Sequence, residues 1–354
     1  LRDKADPEPP AFWSDRNNNV ELLHPPLTRN ADGEVRNVGV EIEFAGLDAL
    51  QAASCVRQLF GGRLVEHDPY SFTVENTCFG DFKCELDSHY AHATEEDVRS
   101  LKDLLFGLLD DRQAQDLARK AGALIGDVAR HWMPVEIVGP PTPYVDIGAY
   151  DRLADALAEA GAEGTQESLI YSFGMQLNPE VAAYDADYIC RHIQAYCLAS
   201  EWLRSAIQVD VTRRVLPFVD RFPIAYQRLI LRHDYRPDLG QLIDDFIEHN
   251  PTRNRELDLL PLFCFIDERR IADSVDMTLV KPRPTFHYRL PNASLGIRGW
   301  SVMQEWNRWV AVERLAANNE RRLPMIEAWQ ENNARSTPLE WSEVARPWME
   351  NGDS

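Results

Sequence analysis

The sequence predicts an α+β fold: a curved antiparallel sheet with helices packed on one face and a polar floor on the other. Three observations lead there. Five short segments alternate apolar and polar residues with a period of two, the mark of a strand with one buried face. Stretches of helical periodicity separate them. The strands are half polar, whereas parallel strands covered on both faces read as unbroken apolar runs.

The first strand covers residues 38–44, where Val38, Val40, Ile42 and Phe44 alternate with Gly39, Glu41 and Glu43. A helix over 47–60 follows and stops at Gly61-Gly62. The second strand covers 82–87, with Phe82, Cys84 and Leu86 against Lys83, Glu85 and Asp87. Thr94 can accept a free backbone N–H and so starts a helix running to about 109, with another over about 112–130. The third strand, 135–138, carries Glu136 and ends at Gly139-Pro140-Pro141. An amphipathic helix over 146–160 closes at Gly161. The fourth strand, 171–178, sets Met175 and Leu177 against Gln176 and Asn178. A long apolar core helix over 185–207 and a shorter one over 240–249 lead to the fifth strand, 285–290. There Phe286, Tyr288 and Leu290 alternate with Thr285, His287 and Arg289. A helix over 300–319 and a short docking helix over 338–349 complete the series.

A chain of 354 residues accommodates one large domain or two fused ones with a sizeable core. No run approaches ~18 uninterrupted apolar residues, so no transmembrane helix is expected. The polar, Pro- and Asn-rich stretch up to Val20 lacks the apolar core of a signal peptide. A net charge of −20 argues against general binding to nucleic acid or anionic lipid. It leaves room for a locally basic pocket, and much of the arginine lies between Arg191 and Arg298. The six cysteines form no CxxC pair, which points to reduced thiols in a cytoplasmic protein.

Glu41 and Glu43, two apart on a strand, point the same way at roughly 6–7 Å separation. Such hard oxygen donors suit Mg²⁺ or Mn²⁺; the plain alternative is a solvent-facing strand edge. Glu85 and Asp87 repeat the arrangement, and Glu136 adds a fifth carboxylate. Acids clustered on one face repel, and a bound dication would offset this. Gln176 and Asn178 are neutral oxygen donors, placed either to ligate or to make plain strand–strand contacts. His287 and Arg289, near Lys281 and Arg283, suit phosphate oxygens or a salt-bridged surface. No P-loop, GxGxxG or GxSxG sequence is present.

Gly39-Val40-Glu41-Ile42-Glu43-Phe44 resembles the opening strand of the amidoligase family, a branch of the glutamine-synthetase-like carboxylate–amine ligases. Val135-Glu136-Ile137-Val138-Gly139-Pro140-Pro141 resembles the family's second signature. Arg232-His233-Asp234-Tyr235-Arg236-Pro237 and Asn250-Pro251-Thr252-Arg253-Asn254-Arg255, with Leu259-Leu260-Pro261, also look familial. The segment 285–290, followed by Pro291-Asn292-Ala293-Ser294, resembles the terminal catalytic strand of glutamine synthetases. The matches run in order from Val38 to Ser294.

The resemblance implies a glutamine-synthetase-like catalytic domain over 38–298, after an N-terminal extension (1–37) and before a C-terminal helical segment (299–354) packed on it. ATP would phosphorylate a substrate carboxylate, and an amine would attack the acyl phosphate. The substrates would be small-molecule or peptide carboxylates and amines, with no nucleic-acid or membrane partner. Glu41, Glu43 and Glu136 match the family's metal-binding acids, with Glu85, Gln176 and His287 as further metal ligands. Arg289 matches a phosphate- or substrate-binding arginine, with Lys281, Arg283 and Arg253 as companions. Glu43, Glu136 and Arg289 would carry catalysis. The sequence departs from the family at Gln176-Leu177-Asn178, where a His-x-His strand is usual. It departs again at His287, where glutamine synthetases carry a Glu. Those departures favour a second reading, a non-catalytic homologue that binds a nucleotide or a partner.

Overall fold

The computed structural model describes residues 20–86, 134–164, 173–208, 219–272 and 274–350. Within them the fold is α+β. The strands are β1 (Asn37–Phe44), β2 (Arg63–Asp68), β3 (Ser71–Glu75), β4 (Phe82–Leu86), β5 (Val135–Val138), β6 (Thr142–Pro143), β7 (Met175–Pro179), β8 (Leu257–Asp258) and β9 (His287–Tyr288). They form one open sheet in the order β2-β3-β4-β5-β1-β7-β9-β8, with β6 paired to the start of β1. Every ladder is antiparallel.

The central strand shows how the sequence sets the two faces. Val38, Val40, Ile42 and Phe44 are buried, while the alternate residues, Glu41 and Glu43 among them, are only half buried. Helix α1 (Ala49–Phe60) covers the apolar face over β3, β4 and β5. Asp48 accepts from Gln51 N at its start, and Gln51 reaches back to Asp48 N, so two free donors are satisfied together. Helix α2 (Gly148–Glu159) brings Tyr150 against Phe82, ring centroids 6.0 Å apart. Helix α3 (Ala186–Ile207) lays Tyr188, His192 and Tyr196 over Phe286 and Tyr288. Trp309 of α7 (Val302–Ala317) packs on the same two rings. Each such buried side chain contributes roughly 1.5–3 kcal/mol. Helices α4 (Ile224–Ile230), α5 (Leu239–His249) and α6 (Leu260–Ile271) share a second aromatic cluster of Tyr226, Phe246 and Phe263. Helix α8 (Asn319–Ala334) follows α7, and α9 (Trp341–Glu350) packs on α3.

Gly139, in the Gly-Pro-Pro sequence after β5, is required by close approach. A Cβ there would meet the Tyr150 hydroxyl at 2.2 Å. The glycine lets its N–H reach Val40 O at 2.9 Å, so β5 closes tightly on β1.

A buried ion pair ties the start of β1 to the helical layer. Arg36 donates through Nη1 and Nη2 to the two Glu313 oxygens, each at 2.7 Å, and through Nε to Glu180 O at 2.7 Å. Trp309 Nε1 adds a donor to Glu313 at 2.6 Å. Burial alone would discharge both groups. The pairing outweighs it, holding Glu313 below the usual carboxylate range and Arg36 above its own.

Several elements differ from the sequence expectation. The β2–β3 hairpin was not foreseen, because β2 is almost wholly polar and exposed and carries no alternation. The fifth strand is shorter than 285–290: only His287–Tyr288 is regular, with an isolated bridge at Thr285. The fourth begins its ladder at Met175, with a bridge at Gly174. The helix expected over 300–319 is Val302–Ala317. Asn318 leaves helical geometry (φ −103, ψ 97) and caps α8, a helix not expected from the sequence, by accepting from Arg321 N. The helices expected over 94–109 and 112–130 lie outside the described residues. All six cysteines are free thiols. No helix among the described residues is long and apolar enough to cross a membrane.

His192 carries a pH dependence. It is buried against Tyr188 and Phe286, donates from Nδ1 to Tyr188 O at 2.7 Å, and burial pushes its pKa down to about 4. In the unfolded chain it takes up a proton near ~6.5. The unfolded state therefore binds the proton first as pH falls, and the fold loses stability between about pH 6.5 and 4, on the order of 3 kcal/mol. His192→Phe keeps the ring and removes the titration. Thermal midpoints measured from pH 7 to 4 should fall less steeply in the variant; parallel curves would assign the acid sensitivity elsewhere.

Candidate active site

The polar face owes its organisation to strand register. On β1, Glu43 lies directly opposite Glu136 of β5, and Glu136 lies directly opposite Glu85 of β4. Three carboxylates from three strands thus stand in one row. Cross-strand neighbours have Cβ atoms roughly 4.5–5.5 Å apart, and like charges so placed are destabilising. The structure tempers this at both ends. Lys83 Nζ lies 2.5 Å from Glu85 Oε1, and Gly174 N donates to Glu43 Oε2 at 2.8 Å. Glu41 sits diagonally from Glu136, because its own partner on β5 is Val138. That diagonal is roughly 7–8 Å, within the reach of long side chains.

On the other side of β1, Glu41 pairs with Gln176 and Gly39 with Asn178 of β7. Gln176 Nε2 donates to Asn178 Oδ1 at 2.7 Å and to His287 Nδ1 at 3.1 Å. Asn178 Nδ2 in turn donates to Glu41 Oε1 at 2.8 Å. A chain of hydrogen bonds therefore runs from β9 to a β1 carboxylate. His287 is buried, and Nδ1 as acceptor leaves the ring proton on Nε2, which is enclosed and has no partner. Burial, then the charges of Arg289, Arg253 and Arg283, hold its pKa well below the ordinary imidazole range, so the ring is neutral.

Beyond β7 the face becomes basic. Asp258 of β8 is fully buried and accepts from Arg253 Nε at 2.9 Å and Arg289 Nη2 at 3.3 Å. Its other oxygen accepts from Leu260 N at 3.1 Å, capping the turn into α6. Arg283 reaches back to Glu41 at 3.6 Å, and Lys281 is exposed two residues earlier. Across the sheet, charge thus runs from acidic on β4, β5 and β1, through amides on β7, to the arginines that flank β8 and β9.

The structure brings Glu43, Glu85 and Glu136 into one row and Glu41 beside it. It joins Gln176 and His287 to each other, and places Arg253 and Arg289 on one buried aspartate. Asp87 lies outside the described residues. Asp258 was missed: it sits in the apolar run Leu257–Leu260, where a single acid reads as a turn residue. Its signal is an acid inside an otherwise buried run, which requires a cationic partner. Among the described residues no three His, Cys, Asp or Glu side chains already converge on a single metal position.

A family model described as "Putative amidoligase enzyme" matches residues 34–311. The match takes in every strand of the sheet and both ends of the polar face. No curated protein matches the chain.

Proposed function

The chain belongs to the amidoligase family, and on that premise we propose that it joins a carboxylate to an amine, with ATP as phosphoryl donor and Mg²⁺ as the bound cation, on the polar face of the sheet. The observation that carries this reading is the charge gradient across that face, with paired carboxylates at one end and forked arginines at the other. Phosphoryl transfer is mostly positioning and charge neutralisation, and it calls for these two sets of groups.

Glu43 and Glu136 are the residues that would hold Mg²⁺, because they are direct cross-strand partners. Glu85 can join them by leaving Lys83. The cation, when bound, supplies charge neutralisation for phosphate oxygens. Arg289 and Arg253, aligned by Asp258, bind the anionic oxygens of the phosphoryl group or the substrate carboxylate. Activation forms a bond between a carboxylate oxygen and the γ-phosphorus, and ADP leaves. The amine then attacks the acyl carbon, phosphate leaves, and a carboxylate of the same row accepts the amine proton. His287 acts in this scheme as a neutral positioning residue, since its Nδ1 is taken by Gln176. The antiparallel sheet with acids on its polar face supports a glutamine-synthetase-like catalytic fold. Arg36 and Glu313, bonded across the sheet edge, support a C-terminal helical segment packed on that same domain.

Incubation with Mg·ATP and a panel of carboxylates and amines should release ADP only when a competent pair is present. Glu43→Ala should lower that turnover by on the order of 100-fold or more with the circular dichroism spectrum retained. Parental turnover in the variant removes Glu43 from the mechanism, and ATP binding without turnover across a broad panel favours the non-catalytic reading.

Arg289→Lys tests the basic end separately. Lysine keeps the charge and loses the fork, so its rate should fall nearly as far as that of Arg289→Ala. Near-parental activity in the lysine variant would reduce Arg289 to a source of charge.

A further inference from the structure

Three arginines distant in sequence converge on the far side of the molecule. Arg191 comes from the first turns of α3, Arg236 from the loop before α5, and Arg322 from the first turn of α8. Together with Asp187, Cys190, Tyr235 and Asn319 they line a cavity of about 270 Å³. Tyr188, His192 and Tyr196 of α3 meet Phe286 and Tyr288 on the apolar side of the sheet, so the sheet lies between this cavity and the polar face. In a chain of net charge −20, three guanidiniums around one hollow require a counter-charge.

The lining supplies little of it. Asp187 is the one carboxylate among the lining residues, and it is engaged with Arg191 at 3.0 Å with 71% of its side chain exposed. Arg322 is only 4% exposed. Its Nη1 donates to Ala316 O, its Nη2 to Asn319 Oδ1 at 2.6 Å, and its Nε is enclosed without a partner. Among the described residues its hydrogen-bond acceptors are thus uncharged oxygens, and a buried guanidinium with no hydrogen-bonded carboxylate is costly. Burial, then the neighbouring charge of Arg191, push its pKa down to about 10, the reverse of what a carboxylate partner does. Arg236 uses Nη1 on Tyr235 O at 2.8 Å and is otherwise exposed at the mouth. The Tyr235 hydroxyl donates to Asp245 at 2.6 Å, which anchors that loop on α5.

We propose that this cavity binds a small phosphate-bearing anion, gripped by Arg191, Arg236 and Arg322. A phosphate group carries about −1.5 to −2 charge and three acceptor oxygens, which matches three guanidinium donors; a single carboxylate carries too little of either. The cavity has room for a phosphate and an organic substituent. The site stands independently of the reaction proposed for the polar face. It gives a place to the sequence block Arg232–Pro237, which that reaction does not use.

Inorganic phosphate is the probe, titrated calorimetrically into the full chain at constant ionic strength set with chloride. The parent should bind saturably. Arg236→Gln, at an exposed position that leaves the core intact, should weaken binding by about tenfold or more, and Arg191→Gln should do the same. Arg289→Gln, on the polar face, should leave this binding in place. No saturable binding by the parent overturns the proposal. So does binding unchanged in both Arg236→Gln and Arg191→Gln, or binding lost in Arg289→Gln, which would put the phosphate on the polar face.

Discussion

Register is the constraint on which the rest of the structure depends. A shift of one residue between β1 and β5 would exchange every inward and outward side chain. Glu43 and Glu136 would enter the core while Ile42 and Ile137 faced water. The correct register brings Glu85, Glu136 and Glu43 into one row. It is imposed by burial of Val38, Val40, Ile42, Phe44, Val135 and Ile137 on the opposite face. The hydrophobic layer thus decides which carboxylates share the polar face. Gly139, pressed under Tyr150, allows the backbone to close there.

The basic end is built on a different principle. Asp258, fully buried, receives Arg253 and Arg289 and also caps the turn into α6. One acid therefore fixes the direction of two guanidiniums, so their orientation is set before any ligand arrives. Pre-organised charge is more effective than charge that must be gathered during a reaction. Arg36 and Glu313 play a comparable part for the fold, pinning the entry of β1 to the helix that carries Trp309.

What could be read from the sequence follows from where two signals coincided. β1 was legible because its apolar period and its acids reinforced each other, and β5 because Glu136 and Gly139-Pro140-Pro141 fell at its end. Of the β2–β3 hairpin, β3 does alternate, with Phe72 and Val74 buried, but its edge partner β2 is mostly exposed with only Leu64 and Val65 half buried, so β2 carries no period. Helix α8 was hidden because most of its residues are polar and Pro324 lies inside it. Asp258 escaped because β8 is two residues long and a single acid in an apolar run has no period to betray it. The pairings themselves, Glu43 with Glu136 and Gln176 with His287, depend on long-range register, and no local pattern contains that.

The departures from the resembled family pattern at 176, 178 and 287 form one physical unit. Gln176 supplies both of its N–H donors, one to His287 and one to Asn178, and Asn178 passes a donor on to Glu41. A histidine at 176 could not donate twice from one nitrogen, and a glutamate at 287 would bring a buried negative charge beside Asp258. Neutral His287 avoids that charge among the arginines, because burial and their positive field keep it unprotonated. The amide pair and the imidazole are thus mutually dependent substitutions. They make the middle of the polar face a neutral, hydrogen-bonded spacer. In the proposed reaction the cation is then left to Glu43 and Glu136, and the anionic oxygens to Arg253 and Arg289, with the spacer fixing the distance between them.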